Sequence, residues 1–175
     1  MILSTHAITG AALATFVPAQ PAAAFVLGFL SHFALDAIPH WDYPLRSPLI
    51  APNNGAHMLL NRALVFDLVT IGFDALFGLL VAVLLFATSG NYWAILSGVC
   101  GAMLPDALQF LYARFPREPL RAFQRFHEWM HTDKCIKPLL GIGSQFGLVV
   151  LIVSATIAVH HGLFGAVPAI ARGGG

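Results

Sequence analysis

Charge is the scarcest commodity in this chain. Lys, Arg, Asp and Glu make up 10% of its 175 residues, against 58% hydrophobic. A soluble domain carries roughly 25% charged residues, so this chain cannot coat a water-facing surface. Lipid must solvate most of it, in keeping with a mean hydropathy of +0.77. The net charge is +1 and no basic stripe is interleaved with aromatics, which removes nucleic acid from the expected partners. Cysteine is nearly absent. Cys100 and Cys135 sit in different kinds of segment and form neither a disulfide framework nor a Cys-x-x-Cys knuckle, leaving the redox compartment open. The N-terminus lacks the basic region and small-residue cleavage site of a secretory signal, and His6 interrupts its apolar stretch. It reads as a retained first helix. There is no repeat of fixed period, no Gly-rich phosphate cradle and no Gly-x-Ser-x-Gly nucleophile elbow.

What remains is a series of apolar runs punctuated by Pro, Gly and polar clusters. They predict an all-α, polytopic membrane bundle of about five transmembrane helices plus one interfacial amphipathic helix. Residues 1–170 form a single domain and 171–175 a flexible tail. The first helix covers about 4–16 and is short for a span. The Pro18-Ala-Gln-Pro21 break leads to a second over 21–38, with Pro21 suited to its first turn. A polar, Pro-rich loop occupies 39–61. The third helix, about 60–87, is long enough to cross a ~30 Å hydrocarbon core with tilt. A tight turn at 88–91 leads to a fourth helix ending near 112, which Pro105 should kink. The amphipathic helix is expected over 119–132 and the last crossing over 139–161.

Arg46, Arg62, Arg114, Arg117, Arg121, Arg125, Lys134 and Lys137 all fall in or beside the two long polar loops, whereas the short turns contain no basic residue. The positive-inside rule then puts those loops and the N-terminus in the cytoplasm and the C-terminus outside, with Arg172 the exception. A bacterial inner membrane is the expected location.

Ionisable groups inside membrane segments are costly, and they point to function by default. Asp36, Asp42, Asp67, Asp74 and Asp106 lie within or beside hydrophobic runs. On this topology His6, His32, Asp36, Asp67, Asp106, His127 and His131 converge towards one face, while Asp74 falls near mid-membrane. His32, Asp36 and His40 recur at i, i+4 and i+8, along one helix face, with Pro39 ending or bending that helix. Imidazole and carboxylate at that spacing can chelate a divalent ion, as paired histidines do in zinc helices. The bland alternative is an interfacial cluster with Trp41 and Tyr43 as belt aromatics. His127 and His131 repeat the spacing. Glu128 follows His127, but no protease context surrounds the helix, and histidines facing water are the alternative. In Leu104-Pro105-Asp106 the proline opens the backbone ladder and lets the carboxylate project into a cavity, or simply bond a neighbouring helix. Asp67 and Asp74 suit helix packing or the orienting of ligands. His160 and His161 fall at the opposite face, and His57 in a loop.

Thr5-His6, Gly28-x-x-Ser31-His32-x-x-Leu35-Asp36 and Leu104-Pro105-Asp106 together resemble the inner-membrane metal-dependent hydrolases described as LexA-binding. The His-x-x-x-Asp pair is also similar to one that ligates zinc in zinc-dependent phospholipase C. The Ser-His-x-x-x-Asp-x-x-Pro-His-Trp-Asp and Phe-His-x-x-x-His segments are similar to those of small bacterial membrane proteins. The resemblance covers short motifs over about residues 5–132. The hydrolases' His-Arg-x-x-Thr-His-Ser stretch and the phospholipase's His-x-x-x-Glu are missing here.

The expected function is therefore a metal-dependent hydrolase with its site at the cytoplasmic face. Some of His6, His32, Asp36, Asp106, His127 and His131 would hold one or two divalent ions. Mixed nitrogen and carboxylate ligands suit zinc first, then manganese or iron. His40 or Asp42 would act as general base or acid, on a phosphoester, an acyl carbon or a lipid headgroup. The alternatives are a proton- or ion-coupled transporter using Asp67, Asp74 and Asp106, in which a homo-oligomer supplies the missing repeat, and a non-catalytic scaffold. In the scaffold, Gly141-x-Gly143 and Gly72…Gly78 would serve helix packing.

Overall fold

The computed structural model describes residues 1–47, 61–132 and 136–162. His57, Lys134, Cys135, Arg172 and the 171–175 tail lie outside the described residues. Six helices and no strand are found among those described: α1 Leu3–Ala14, α2 Pro21–Asp36, α3 Arg62–Phe86, α4 Tyr92–Arg114, α5 Leu120–Met130 and α6 Pro138–His160. Their ends follow local chemistry. Pro21 and Pro138 open α2 and α6, where a missing N–H costs nothing. The Asn61 side chain caps α3 by accepting from the Leu64 N–H at 3.0 Å. Asn91 closes the α3–α4 turn, accepting from the Thr88 N–H at 2.7 Å and donating to the Phe86 carbonyl at 3.0 Å. Pro105 is accommodated inside α4, which runs on to Arg114.

Three helices, α3, α4 and α6, are long and apolar enough to cross a membrane, at 25, 23 and 23 residues. With α1 at 12 and α2 at 16 residues, these two reach only about 18 and 24 Å. The five expected crossings thus comprise three of spanning length and one shorter hairpin. Within the hairpin α1 is the inside of the bundle, whereas α2 buries one face and exposes Val26 and Leu30 on the other. All residues of α1 but Leu13 are buried, so it has no polar face to display, and its run of Ala, Gly, Thr and Ile shows no amphipathic period. Around it, α3 and α6 expose Val69, Phe73, Leu76, Leu84, Leu139 and Phe146, the outer surface expected against lipid.

Glycines let the inner helices meet backbone to backbone. A Cβ on Gly10 or Gly28 would collide with the Gly98 carbonyl, and one on Gly101 with the Phe25 carbonyl. Small residues at such crossings are how membrane helices gain packing energy when lipid is as apolar as they are. Gly78 meets Ser4 and Gly141 meets Trp41 in the same way, whereas Gly72 and Gly143 face open space.

Two intramembrane carboxylates are consumed in holding this arrangement. Asp74 accepts from the Ser4 N–H at 3.1 Å, which caps the buried start of α1 from across the α1–α3 contact. Asp67 accepts from the Arg46 N–H at 2.9 and 3.1 Å, and from the Ser47 N–H and hydroxyl at 2.7 and 2.5 Å. It pins the end of the loop after α2 onto α3, with the Arg46 guanidinium over the Phe66 ring at 4.7 Å. Asp74, midway along α3, is therefore level with the N-terminus of α1 and has a partner there.

Candidate metal centre

The start of α1, the end of α2, the second half of α4 and the buried face of α5 meet about 12 Å short of the α4 terminus at Arg114. α5 reaches this point because Phe123 and Phe126 pack on Phe33 of α2, with ring centroids 6.1 and 4.9 Å away. The chain beyond α5 is stitched to the end of α2: the Thr132 N–H donates to the Asp36 carbonyl at 2.9 Å, and the Ile136 N–H to the His40 carbonyl at 3.1 Å. His127 is buried like His6, His32 and Asp36.

Asp36 is the hub. Its Oδ2 lies 3.1 Å from His32 Nε2 and 3.3 Å from His127 Nε2, and the two imidazole nitrogens are 3.3 Å apart. Asp106 Oδ1 stands 3.7 and 4.0 Å from the same nitrogens. Donor atoms of His32, Asp36, Asp106 and His127 all fall within 4.8 Å of one another. Protonation decides what this set can do. His32 Nδ1 is 2.9 Å from the Ala102 carbonyl, which can only accept, so Nδ1 carries a proton, and in the neutral ring Nε2 presents a lone pair. In that form the lone pair faces a carboxylate oxygen at 3.1 Å, a contact that a shared cation, proton or metal, makes favourable. Tetrahedral zinc with bonds of about 2.0–2.1 Å separates its ligands by about 3.3 Å. A metal-bound histidine characteristically donates its other N–H to a carbonyl. His32 satisfies both conditions. His127 Nδ1 is buried without a hydrogen-bond partner.

The other oxygen of Asp36 serves a second group. Oδ1 is 2.9 Å from the Met1 amine and 3.2 Å from His6 Nε2, whose ring stacks on His32 at 4.1 Å. Neither ring nitrogen of His6 has a hydrogen-bond partner, although the residue is wholly buried. Asp36, His40 and His131 again bring donor atoms within 4.8 Å of one another. The expected ligands are therefore divided: His32, Asp106 and His127 gather on Oδ2, while His6 lies on the Oδ1 side. His131 joins His40, because α5 ends at Met130 and His131 has extended backbone, off the face that carries His127. Glu128 accepts from Gln124 at 3.0 Å and is exposed. His40 and Asp42 meet at 3.1 Å, and Asp106, Asp42 and His131 are the partly exposed members through which solvent reaches the cluster.

Charge at this rim is mutually supporting. Burial works against ionisation of Asp42, but His131, His40 and the Met1 amine outweigh it and hold its carboxyl well below the usual carboxylate range. In return the Asp42 carboxylate holds His131 above its ordinary value. Burial, with Asp74, Asp106 and Asp42 nearby, pushes the Tyr43 phenol up, so Tyr43 keeps its proton among the acids.

Several participants carried no sequence signal as site residues: the Met1 amine, the Ala102 carbonyl and Gln145. Gln145 accepts from the Ile2 N–H at 3.1 Å and donates to the Trp41 carbonyl at 2.7 Å, tying α6 to the strands of chain that bracket the cluster. A lone amide in an apolar helix was its only visible hint. His160, at the far end, contacts Thr15 Oγ1 at 2.8 Å and Phe16, well away from the centre. Comparison with known proteins finds no matching protein family, no significantly similar curated protein and no matching solved structure.

Proposed function

We propose that this chain is a membrane-embedded, metal-dependent hydrolase acting at the cytoplasmic face of a bacterial inner membrane. The observation that carries the reading is the triangle of His32 Nε2, His127 Nε2 and Asp36 Oδ2, with sides of 3.1–3.3 Å and the His32 proton committed elsewhere. Asp106 completes the set from its more open side. A divalent ion, zinc first and manganese or iron next, supplies Lewis acidity and acidifies water when bound. Around it, Ala102 orients His32, the aromatic packing of α5 seats His127, and apolar α1 and α2 exclude bulk water.

α3, α4 and α6 cross the bilayer, and α1–α2 form a hairpin that starts and ends on the cluster side. Sidedness does not depend on how far the hairpin reaches, so the basic-residue distribution still puts the cluster at the cytoplasmic side. A phosphoester or lipid headgroup reaching the cluster from the cytoplasmic side is the natural substrate. The resemblance to LexA-binding-type hydrolases points the same way. Transport draws no support from Asp67 and Asp74, because both accept backbone N–H groups.

The test is hydrolysis by metal-loaded protein in proteoliposomes, against phosphomonoesters, phosphodiesters, acyl esters and the liposome phospholipid. Turnover that disappears in Asp36→Asn supports the reading. Stoichiometric metal with no turnover of any of these would make the ion structural and the protein a scaffold.

A further inference from the structure

We infer that Asp36 bridges two cation positions, and that His40, Asp42 and His131 hold the second. The inference rests on the metal reading above and assigns His40 and Asp42 to binding rather than to acid–base catalysis. Its first support is the division of labour on one carboxylate. Oδ2 faces His32 and His127, while Oδ1 faces away from that triangle towards His6 and the Met1 amine.

The second support is the orientation of the two histidines. His40 Nδ1 donates to the Ile38 carbonyl at 2.7 Å, and His131 Nδ1 donates to the Thr132 carbonyl at 2.9 Å. Both acceptors are carbonyls, so Nδ1 carries the ring proton in the neutral, metal-binding form, and both Nε2 atoms lie near Asp42 Oδ2, at 3.1 and 3.7 Å. This repeats the His32 arrangement: an imidazole fixed through Nδ1 on a backbone carbonyl, with Nε2 directed at a carboxylate oxygen.

The third support is a convergence of donor atoms beside Asp36 Oδ1. The Met1 amine lies 2.8 Å from His40 Nε2, 2.9 Å from Asp36 Oδ1 and 3.0 Å from Asp42 Oδ1. His40 Nε2 and one oxygen each of Asp36 and Asp42 thus converge on one point, and donor atoms of Asp36, His40 and His131 fall within 4.8 Å of one another. His6 adds a further nitrogen on this side: it is wholly buried, with Nε2 3.2 Å from Asp36 Oδ1 and Nδ1 without a hydrogen-bond partner. Two ions joined by one carboxylate, typically about 3.5–4 Å apart, are the arrangement that clamps both attacking and leaving oxygens of a phosphoester.

The experiment is manganese binding to the detergent-purified full chain, read by metal content after dialysis and by electron paramagnetic resonance. Wild type should hold two equivalents and show a spin-coupled signal. His40→Ala/His131→Ala should hold one, with the six-line signal of an isolated ion. Asp42→Asn, a partly exposed and milder change, should keep the first equivalent and weaken the second at least tenfold. One equivalent in wild type, with the same isolated-ion signal in wild type and both variants, overturns the second site and leaves the first standing. No bound manganese or zinc in wild type overturns both.

Discussion

Replacing Asp74 with alanine removes the acceptor that caps a helix start buried inside the bundle. The Ser4 N–H that donates to it at 3.1 Å belongs to a helix whose residues are almost all buried, so water cannot readily replace the carboxylate. A hydrogen bond to a charged acceptor contributes about 1.5–3 kcal/mol, and a carboxylate at a partly buried helix N-terminus up to about 2 kcal/mol. These describe one contact from two directions and are not summed. Asp74→Ala should therefore cost about 2 kcal/mol. Asp74→Asn, which retains an oxygen but no charge, should cost about 1 kcal/mol. By the scaling of soluble domains of this size, melting temperatures should fall by about 4–8 °C and 2–4 °C respectively. The assay is thermal unfolding in detergent, run beside metal content and turnover. Both variants should retain metal. Melting points within about 1 °C of wild type, accompanied by total loss of function, would refute the capping argument and return Asp74 to a proton-carrying role.

Further expectations follow from packing and ligand chemistry. Gly28→Ala should sharply lower folded yield, because the Cβ meets the Gly98 carbonyl and backbone cannot give way, whereas Gly143→Ala faces open space and should be silent in the same expression and size-exclusion assay. Gln145→Leu strands the Ile2 N–H and the Trp41 carbonyl, and should destabilise by about 2 kcal/mol, read as a lower melting temperature with weakened metal retention. Histidine must be neutral to bind metal, so ion content measured after dialysis should fall as pH drops below about 6 and recover on return to neutrality. Retention of full metal content at pH 4 would point away from histidine ligands.

The parts of this molecule legible in the sequence are those with local causes. Pro21, Asn61, Asn91 and Pro138 mark helix boundaries through their own backbone chemistry, so the six helices lie close to where the punctuation puts them. His32 and Asp36 announce themselves because i, i+4 spacing is a property of one helix. Depth and pairing were less visible. The short α1 carries no period that separates a buried axis from a lipid-facing span, since both are apolar all round. Asp67 and Asp74 looked alike at seven residues' spacing, but one holds a loop and the other a helix end, through backbone atoms that sequence spacing cannot reveal. The same holds for His127 and His131. Their spacing implied a shared face, and the helix stops between them, sending each to a different oxygen-bearing partner.

The central claim is that His32, Asp36 and His127 hold a metal ion. The direct measurement is elemental analysis of detergent-purified wild type beside His32→Ala/Asp36→Ala and His127→Ala/His131→Ala. The account predicts stoichiometric zinc, manganese or iron in wild type and its loss from both double variants, although the two pairs come from segments far apart in the chain. A wild type without metal, even after reconstitution with zinc or manganese, or double variants that keep it, would contradict the account.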